Sequence, residues 1–315
     1  MKIVFMGTPD FAVETLRQTA HAGHEIIGVV TQPDRPKGRG KAMQPTPVKE
    51  TALELGLPVY QPKSVKDPDF VNVLKELKPD IIVVVAFGQL ITREILEIPP
   101  YGCINVHGSL LPKYRGAAPV QWAVLCGEKE SGVTVMRMDE GLDTGDMLAK
   151  AAVPLEADET GGSLFDKLSI LGAKLLTETL QGLSQGTVVA QPQPKESPTP
   201  YASMIQKSMG LIQWEKDAAD IERWTRGLNP WPSAFTHLNG KTMKIFKSSV
   251  CSLKGADGWR DAVPGQVVLV DAQGIYVKCG QGCLRIEELQ LEGKKRMPAR
   301  DFLRGHAVEA GTVLL

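Results

Sequence analysis

A chain of 315 residues, 43% hydrophobic and 23% charged, has the balance of a globular protein able to bury more than one core, and its length favours two domains. Basic and acidic residues number 36 each, so whole-chain charge argues neither for nor against a nucleic-acid partner and the distribution must be read instead. Five cysteines, an odd number in a chain too long to need staples, point to a reducing cytoplasm; the apolar start MKIVFMG is too short for a signal peptide, and no apolar run approaches the about 20 residues that span a bilayer.

The first two-thirds alternates strand-like and helical patterns. KIVFMG (2–7) reads as a strand, followed by a helix from Asp10 carrying Phe11, Val13 and Leu16. HEIIGVVTQ (24–32) is a second strand, and helical patterns cover 46–56 and 68–77. PDIIVVVAFG (79–88) is apolar on both faces, as a central parallel strand should be. GCINVH (102–107) and GVTVMRMD (132–139) are further strands, with helices at 117–126 and 161–182. This rhythm predicts a Rossmann-like, doubly wound, mostly parallel sheet over residues 1–187, with ligands beyond the carboxyl ends of its strands. VVAQPQPKESPTPY (188–201) holds four prolines and few large apolar residues, so 188–205 reads as an extended linker. In 206–315 a helix at 217–228 aligns Ile221, Trp224 and Leu228; a hairpin around Asn239-Gly240 and about three more strands follow, predicting a small OB-like β-barrel. Residues 205–315 hold 16 basic and 12 acidic side chains, a balance of +4 against −4 for the remainder, a modest hint of polyanion binding by the second domain.

Residues two apart in a strand share a face. Asn105 and His107 therefore point together at the end of their strand, an amide and an imidazole suited to a developing oxyanion and a proton transfer. Both could equally be buried groups satisfied by backbone. MRMDEGLDTGDML (136–148) places Asp139, Glu140, Asp143 and Asp146 in one loop after a strand. A carboxylate beside His107 would hold the ring's tautomer, but spacing does not say which aspartate faces it. DRPKGRGK (34–41) carries Arg35, Lys37, Arg39 and Lys41 against Asp34, a net +3 suited to phosphate contacts. EGKKRMP offers Lys294, Lys295 and Arg296 for the same role. GTPDF (7–11) has one glycine and does not make a nicotinamide-type phosphate loop, and Cys279 and Cys283 lack a second pair for zinc.

NVHGSLLPKYRGAAPVQWAV (105–124) followed by GLDTGDML (141–148) resembles the formyltransferase family that uses 10-formyltetrahydrofolate. Within it, MGTPDFAVETL, TQPDRPKGRGK (31–41) and NPWPSAFT (229–236) are similar to the members acting on initiator methionyl-tRNA, essentially end to end. The resemblance implies that the chain moves a formyl group from 10-formyltetrahydrofolate to an α-amino group, without a metal. It implies Asn105, His107 and Asp143 as catalytic residues, with Asp143 taken from the Leu-Asp-x-Gly turn. It further implies that Ser109, Leu110, Leu111 and Pro112 line the folate site and that backbone at Phe87, Gly88, Gln89 and Leu90 contacts the pterin. It makes tRNA the partner of the basic loop 34–41, Arg39 foremost, and of the C-terminal barrel, in a monomer. Formyl transfer to a sugar nucleotide and hydrolysis of formyltetrahydrofolate are the alternatives that share the same trio.

Overall fold

The computed structural model describes residues 1–37, 42–253 and 259–315, and the chain divides into two compact units. The first comprises Met1–Pro119, Glu130–Pro154 and Phe165–Ser203; the second comprises Val120–Lys129, Leu155–Leu164 and Met204–Leu315.

In chain order the elements down to α6 are β1 (Lys2–Gly7), α1 (Val13–His21), β2 (Glu25–Val30), β3 (Arg35–Lys37), β4 (Ala42–Gln44), α2 (Pro47–Glu54), β5 (Val59–Tyr60), α3 (Pro68–Leu77), β6 (Ile81–Val85), α4 (Arg93–Leu96), β7 (Cys103–His107), α5 (Pro119–Leu125), β8 (Glu130–Arg137), β9 (Met147–Pro154) and α6 (Gly161–Gln185). The first unit is built on one seven-stranded sheet of order β5-β2-β1-β6-β7-β8-β9. Its first five strands run parallel, while β8 and β9 are antiparallel to their neighbours. The chain turns outward on opposite sides of β1, so a crevice opens above the carboxyl ends of β1 and β6. The alternating apolar runs explain the centre: Ile3, Val4, Phe5, Ile81, Ile82 and Val83 are fully buried, as two-sided burial of a parallel sheet requires. Helix starts follow capping chemistry: Thr46 accepts from the Lys49 N–H and Asp67 from the Asp69 N–H, each followed by a proline in the first turn. On the opposite sheet face from His107, α6 approaches β7 and β8 through Gly172, where a Cβ would sit 2.9 Å from Val106. Among the described residues no helix is long and apolar enough to cross a membrane.

Residues 188–203 are bonded into this first unit. Gln191 exchanges both backbone hydrogen bonds with Met147, and the Ala202 N–H donates to the Arg115 carbonyl. Ala202 in turn accepts from the N–H groups of Ala117 and Ala118. This stretch forms a strap across the sheet's edge.

The second unit carries α7 (Ala218–Gly227), β10 (Ala234–Leu238), β11 (Lys241–Cys251), β12 (Val267–Asp271), β13 (Gly274–Lys278), β14 (Cys283–Leu291), β15 (Met297–Pro298) and α8 (Ala299–Leu303). Leu238 pairs with Lys241 across Asn239 and Gly240, both at positive φ (50° and 74°), the two-residue turn the sequence predicts. The antiparallel order is β10-β11-β14-β13-β12, with β15 on β14, around a core that includes Trp214, Ile221, Ile245, Val277, Ile286 and Phe302. The predicted OB-like β-barrel takes the form of an antiparallel ladder whose end strands, β10 and β12, do not pair with each other among the described residues. The C-terminal residues serve both edges instead. Leu315 exchanges backbone bonds with His237 beside β10, while the Thr312 carbonyl accepts from Val267 on β12.

Candidate active site

The site grows from the end of β7. Asn105 and His107 face the same way and are flanked by β6, where Val84 pairs with Asn105, and by β8, where Thr134 pairs with His107. Thr134 is fully buried; its hydroxyl donates to the Ser109 carbonyl at 2.7 Å and accepts from the Leu111 N–H at 3.0 Å. Opposite Thr134 on β9, Lys150 sends its ammonium to the Leu111 carbonyl at 2.9 Å. The turn after β7 is thus pinned from two strands.

His107 is buried, and its Nε2 lies 3.0 Å from the Tyr114 carbonyl oxygen. A carbonyl only accepts, so Nε2 carries a proton and donates. The other ring nitrogen, Nδ1, stands 3.7 Å from Asp143 Oδ1, with the aspartate side chain 20% exposed. Asp143 Oδ2 accepts from the Gly116 N–H at 2.9 Å. Of the acidic residues in that loop, Asp143 is therefore the one that meets the histidine. Asp139 is occupied within the loop by the Thr144 hydroxyl and the Gly141 N–H. Asn105 is half-buried and its amide has no hydrogen-bond partner among the described residues. An open amide, an imidazole edge and a carboxylate then face the rim of one sheet.

The folate-site residues named from the sequence separate into two kinds. Ser109 is fully buried and its hydroxyl donates to the Lys113 carbonyl at 2.7 Å; Leu111 packs with Met136 and Met147. Both shape the turn from inside. Leu110 and Pro112 are half-buried and are the ones with surface to offer. Phe87 is buried, and its carbonyl accepts from the Thr8 hydroxyl at 2.9 Å and the Gln32 amide at 3.3 Å. Gly88 takes a positive φ of 83°, Gln89 accepts from the Val65 N–H, and Leu90 is 62% exposed.

Of the basic residues, Arg35 on β3 is exposed, the side chain of Lys37 is not described, and Arg39 and Lys41 lie outside the described residues. Asp34, at the base of that segment, binds Lys49 and Gln61 at 2.7 Å each, contacts that hold its carboxyl below the usual carboxylate range. In the second unit Lys294 and Lys295 are exposed. Arg296 is engaged locally, bonded to Glu288 at 2.6 Å and lying 4.3 Å over the Phe246 ring.

Several residues that hold the site were not visible in the sequence. The Tyr114 carbonyl and the Gly116 N–H are main-chain groups, which no side-chain pattern signals. Arg115 and Gln193 act across 78 positions of chain, and Gln193 sits in a stretch whose prolines read as a linker.

Comparison with known proteins gives the family. The family model described as Formyl transferase matches residues 1–180, and the one described as Formyl transferase, C-terminal domain, matches residues 204–307. A methionyl-tRNA formyltransferase of Agathobacter rectalis is 55% identical over 312 residues, covering 99% of each chain. An N-formyltransferase from Helicobacter canadensis, solved with folinic acid and dTDP-3-aminofucose, superposes with a TM-score of 0.67 at 19% identity over 91% of this chain and 98% of that one. HypX from Aquifex aeolicus, solved with tetrahydrofolic acid, gives a TM-score of 0.63 at 19% identity; 99% of this chain covers 50% of that one, so this chain spans about half of HypX. At those identities the two structures speak for the fold alone. With both family models matched in order and a relative more than half identical along nearly its whole length, this chain belongs to the formyl transferase family.

Proposed function

We propose that the protein transfers the formyl group of 10-formyltetrahydrofolate to the α-amino group of initiator methionyl-tRNA, acting as a cytoplasmic monomer. The observation that carries the reading is the Asp143 carboxylate 3.7 Å from the free edge of the His107 ring, beside an unpartnered Asn105 amide. The full-length similarity to a relative named for this reaction supports the choice of acceptor.

The nucleophile is an amine with a pKa of about 8 before its ester neighbour lowers it, so much of it is neutral near pH 7 and no strong base is needed. It attacks the formyl carbon on N10 of the folate. Negative charge grows on the formyl oxygen, where the Asn105 amide donates a hydrogen bond and the His107 Nδ1 edge donates once it has taken the proton that the amine loses. Because Nε2 is spent on the Tyr114 carbonyl, the Nδ1 edge serves the substrate. The attacking nitrogen must lose a proton and N10 must gain one, and Asp143 assists that exchange through His107 or a water. Folate contacts fall to Leu110 and Pro112 and to backbone over Phe87, Gly88, Gln89 and Leu90, with Ser109 and Leu111 shaping the turn beneath. Arg35, Lys37, Arg39 and Lys41, together with Lys294, Lys295 and Arg296, supply tRNA phosphate contacts.

The test is to incubate the protein with formyl-labelled 10-formyltetrahydrofolate and charged tRNA. Label in formyl-methionine, released from tRNA by base, is expected. Label released only as formate, or none transferred, overturns the proposal.

A further inference from the structure

Asp143 sits at a φ of 55°, a left-handed conformation that costs a non-glycine residue about 1 kcal/mol or more. Something must hold it there, and the contacts converge on one side chain. The Gln193 amide nitrogen donates to the Asp143 carbonyl at 2.9 Å and to the Gly145 carbonyl at 2.7 Å, bridging the turn that carries the carboxylate. Its amide oxygen accepts from Arg115 Nε at 3.1 Å and from an Arg115 terminal nitrogen at 2.9 Å. Arginine only donates and carbonyls only accept, so this surrounding leaves the amide one orientation.

Arg115 is buried, and its remaining bonds go to the carbonyls of Pro194 and Lys195 at 2.7 and 2.9 Å. Among the described residues, the acceptors of its guanidinium are thus all on the strap, and each is a neutral oxygen. The residues on either side of it touch the catalytic pair directly: the Tyr114 carbonyl takes the His107 Nε2 proton, and the Gly116 N–H binds Asp143 Oδ2. Gly116 has no room for a side chain, since a Cβ would lie 2.6 Å from the Ala202 carbonyl of the strap.

We propose that Arg115 and Gln193 are a positioning pair for the reaction: the strap residue Gln193, oriented by Arg115, fixes the turn of Asp143 so that its carboxylate meets His107. This rests on the catalytic reading of Asp143 given above. The pair touches no substrate and acts through the place of the carboxylate.

The discriminating variant is Gln193→Glu. It keeps the size and the acceptor for Arg115 but loses both donated bonds and presents an oxygen to two carbonyls. The expected outcome is a loss of about 10- to 100-fold in the single-turnover formylation rate, the scale of an ångström-level misplacement. Folate affinity and methionyl-tRNA affinity should stay near wild type, and the protein should remain folded at the assay temperature. Introduced into Asp143→Asn, the same change should cost nothing further, because the group it positions is already gone. Gln193→Leu provides a second test of the same cycle. An unchanged rate in Gln193→Glu, or an equal loss in the Asp143→Asn background, overturns the inference while leaving the catalytic reading in place. A near-normal rate in Asp143→Asn alone overturns both.

Discussion

Replacing Gly145 with alanine probes how finely the carboxylate turn must be placed. Gly145 is buried between Asp143 and Met147, and a Cβ there would sit 1.8 Å from the carbonyl oxygen of Arg137, where real Cβ contacts stay beyond 3.0 Å. The obstacle is backbone at the end of β8, so about 1.2 Å must open between the turn and the sheet. Passed two residues along, that shift takes the His107–Asp143 separation from 3.7 Å, within ion-pair distance, to roughly 5 Å, outside it. A displacement of this size is expected to lower the single-turnover rate by about 100-fold. Overpacking costs about 1–3 kcal/mol of stability and leaves the fold intact. Rapid-quench formyl transfer under saturating substrates gives the rate, and equilibrium folate binding checks that the pocket survives. Gly141→Ala is the control. Its Cβ would meet the Thr144 hydroxyl at 2.0 Å, the end of a side chain that can rotate away, and the loss should stay below about fivefold. A folded Gly145→Ala protein with wild-type turnover would refute the idea that the rate depends on where this turn lies.

Asn105→Ala should lower turnover by about 100- to 1,000-fold with folate binding retained, the scale of removing one oxyanion donor; an effect on binding alone would move Asn105 out of the reaction. Binding of tRNA should weaken by at least about tenfold between roughly 50 and 200 mM salt, as measured by filter binding, and a flat response would favour a small acceptor. Burial pushes the thiols of Cys103 and Cys279 up to about 12 from a usual value of 9.0. The folded state then keeps protons that the unfolded chain releases, so stability is intact below about pH 9 and falls as pH rises toward 12, by up to about 1.4 kcal/mol per pH unit for a fully buried thiol. Melting temperature followed from pH 8 to about 10.5 should therefore drop less steeply in Cys103→Ala than in the parent, and equal slopes would contradict this linkage.

The apolar centre of the first unit was legible because two-sided burial leaves unbroken runs such as Ile81–Val85. Helix α3 falls on the expected 68–77 because Asp67 caps it and Pro68 opens it. The antiparallel sense of β8 was not legible, since an alternation of strands and helices does not encode direction. The β9 strand escaped because MLAKAAVP is rich in alanine and lies at a sheet edge, where one side needs no apolar partner. Strand signals alone did not reveal that the second unit's sheet stays open, because that depends on where the C-terminal residues bond. In the site, the shared face of Asn105 and His107 followed from strand spacing. The choice of Asp143 among neighbouring acids needed family resemblance, and its φ of 55° has no signature in a short acidic loop. Gln193 and Arg115 were hidden because their meeting is made by tertiary packing of a proline-rich stretch.

The central claim is that the Asp143 carboxylate moves the proton that formyl transfer requires. Asp143→Asn tests it most directly, because the amide keeps an oxygen for the Gly116 N–H and nearly the same shape. Single-turnover transfer from 10-formyltetrahydrofolate to methionyl-tRNA should fall by at least about 100-fold in this variant, with folate affinity unchanged. A rate close to the parent's would contradict the account.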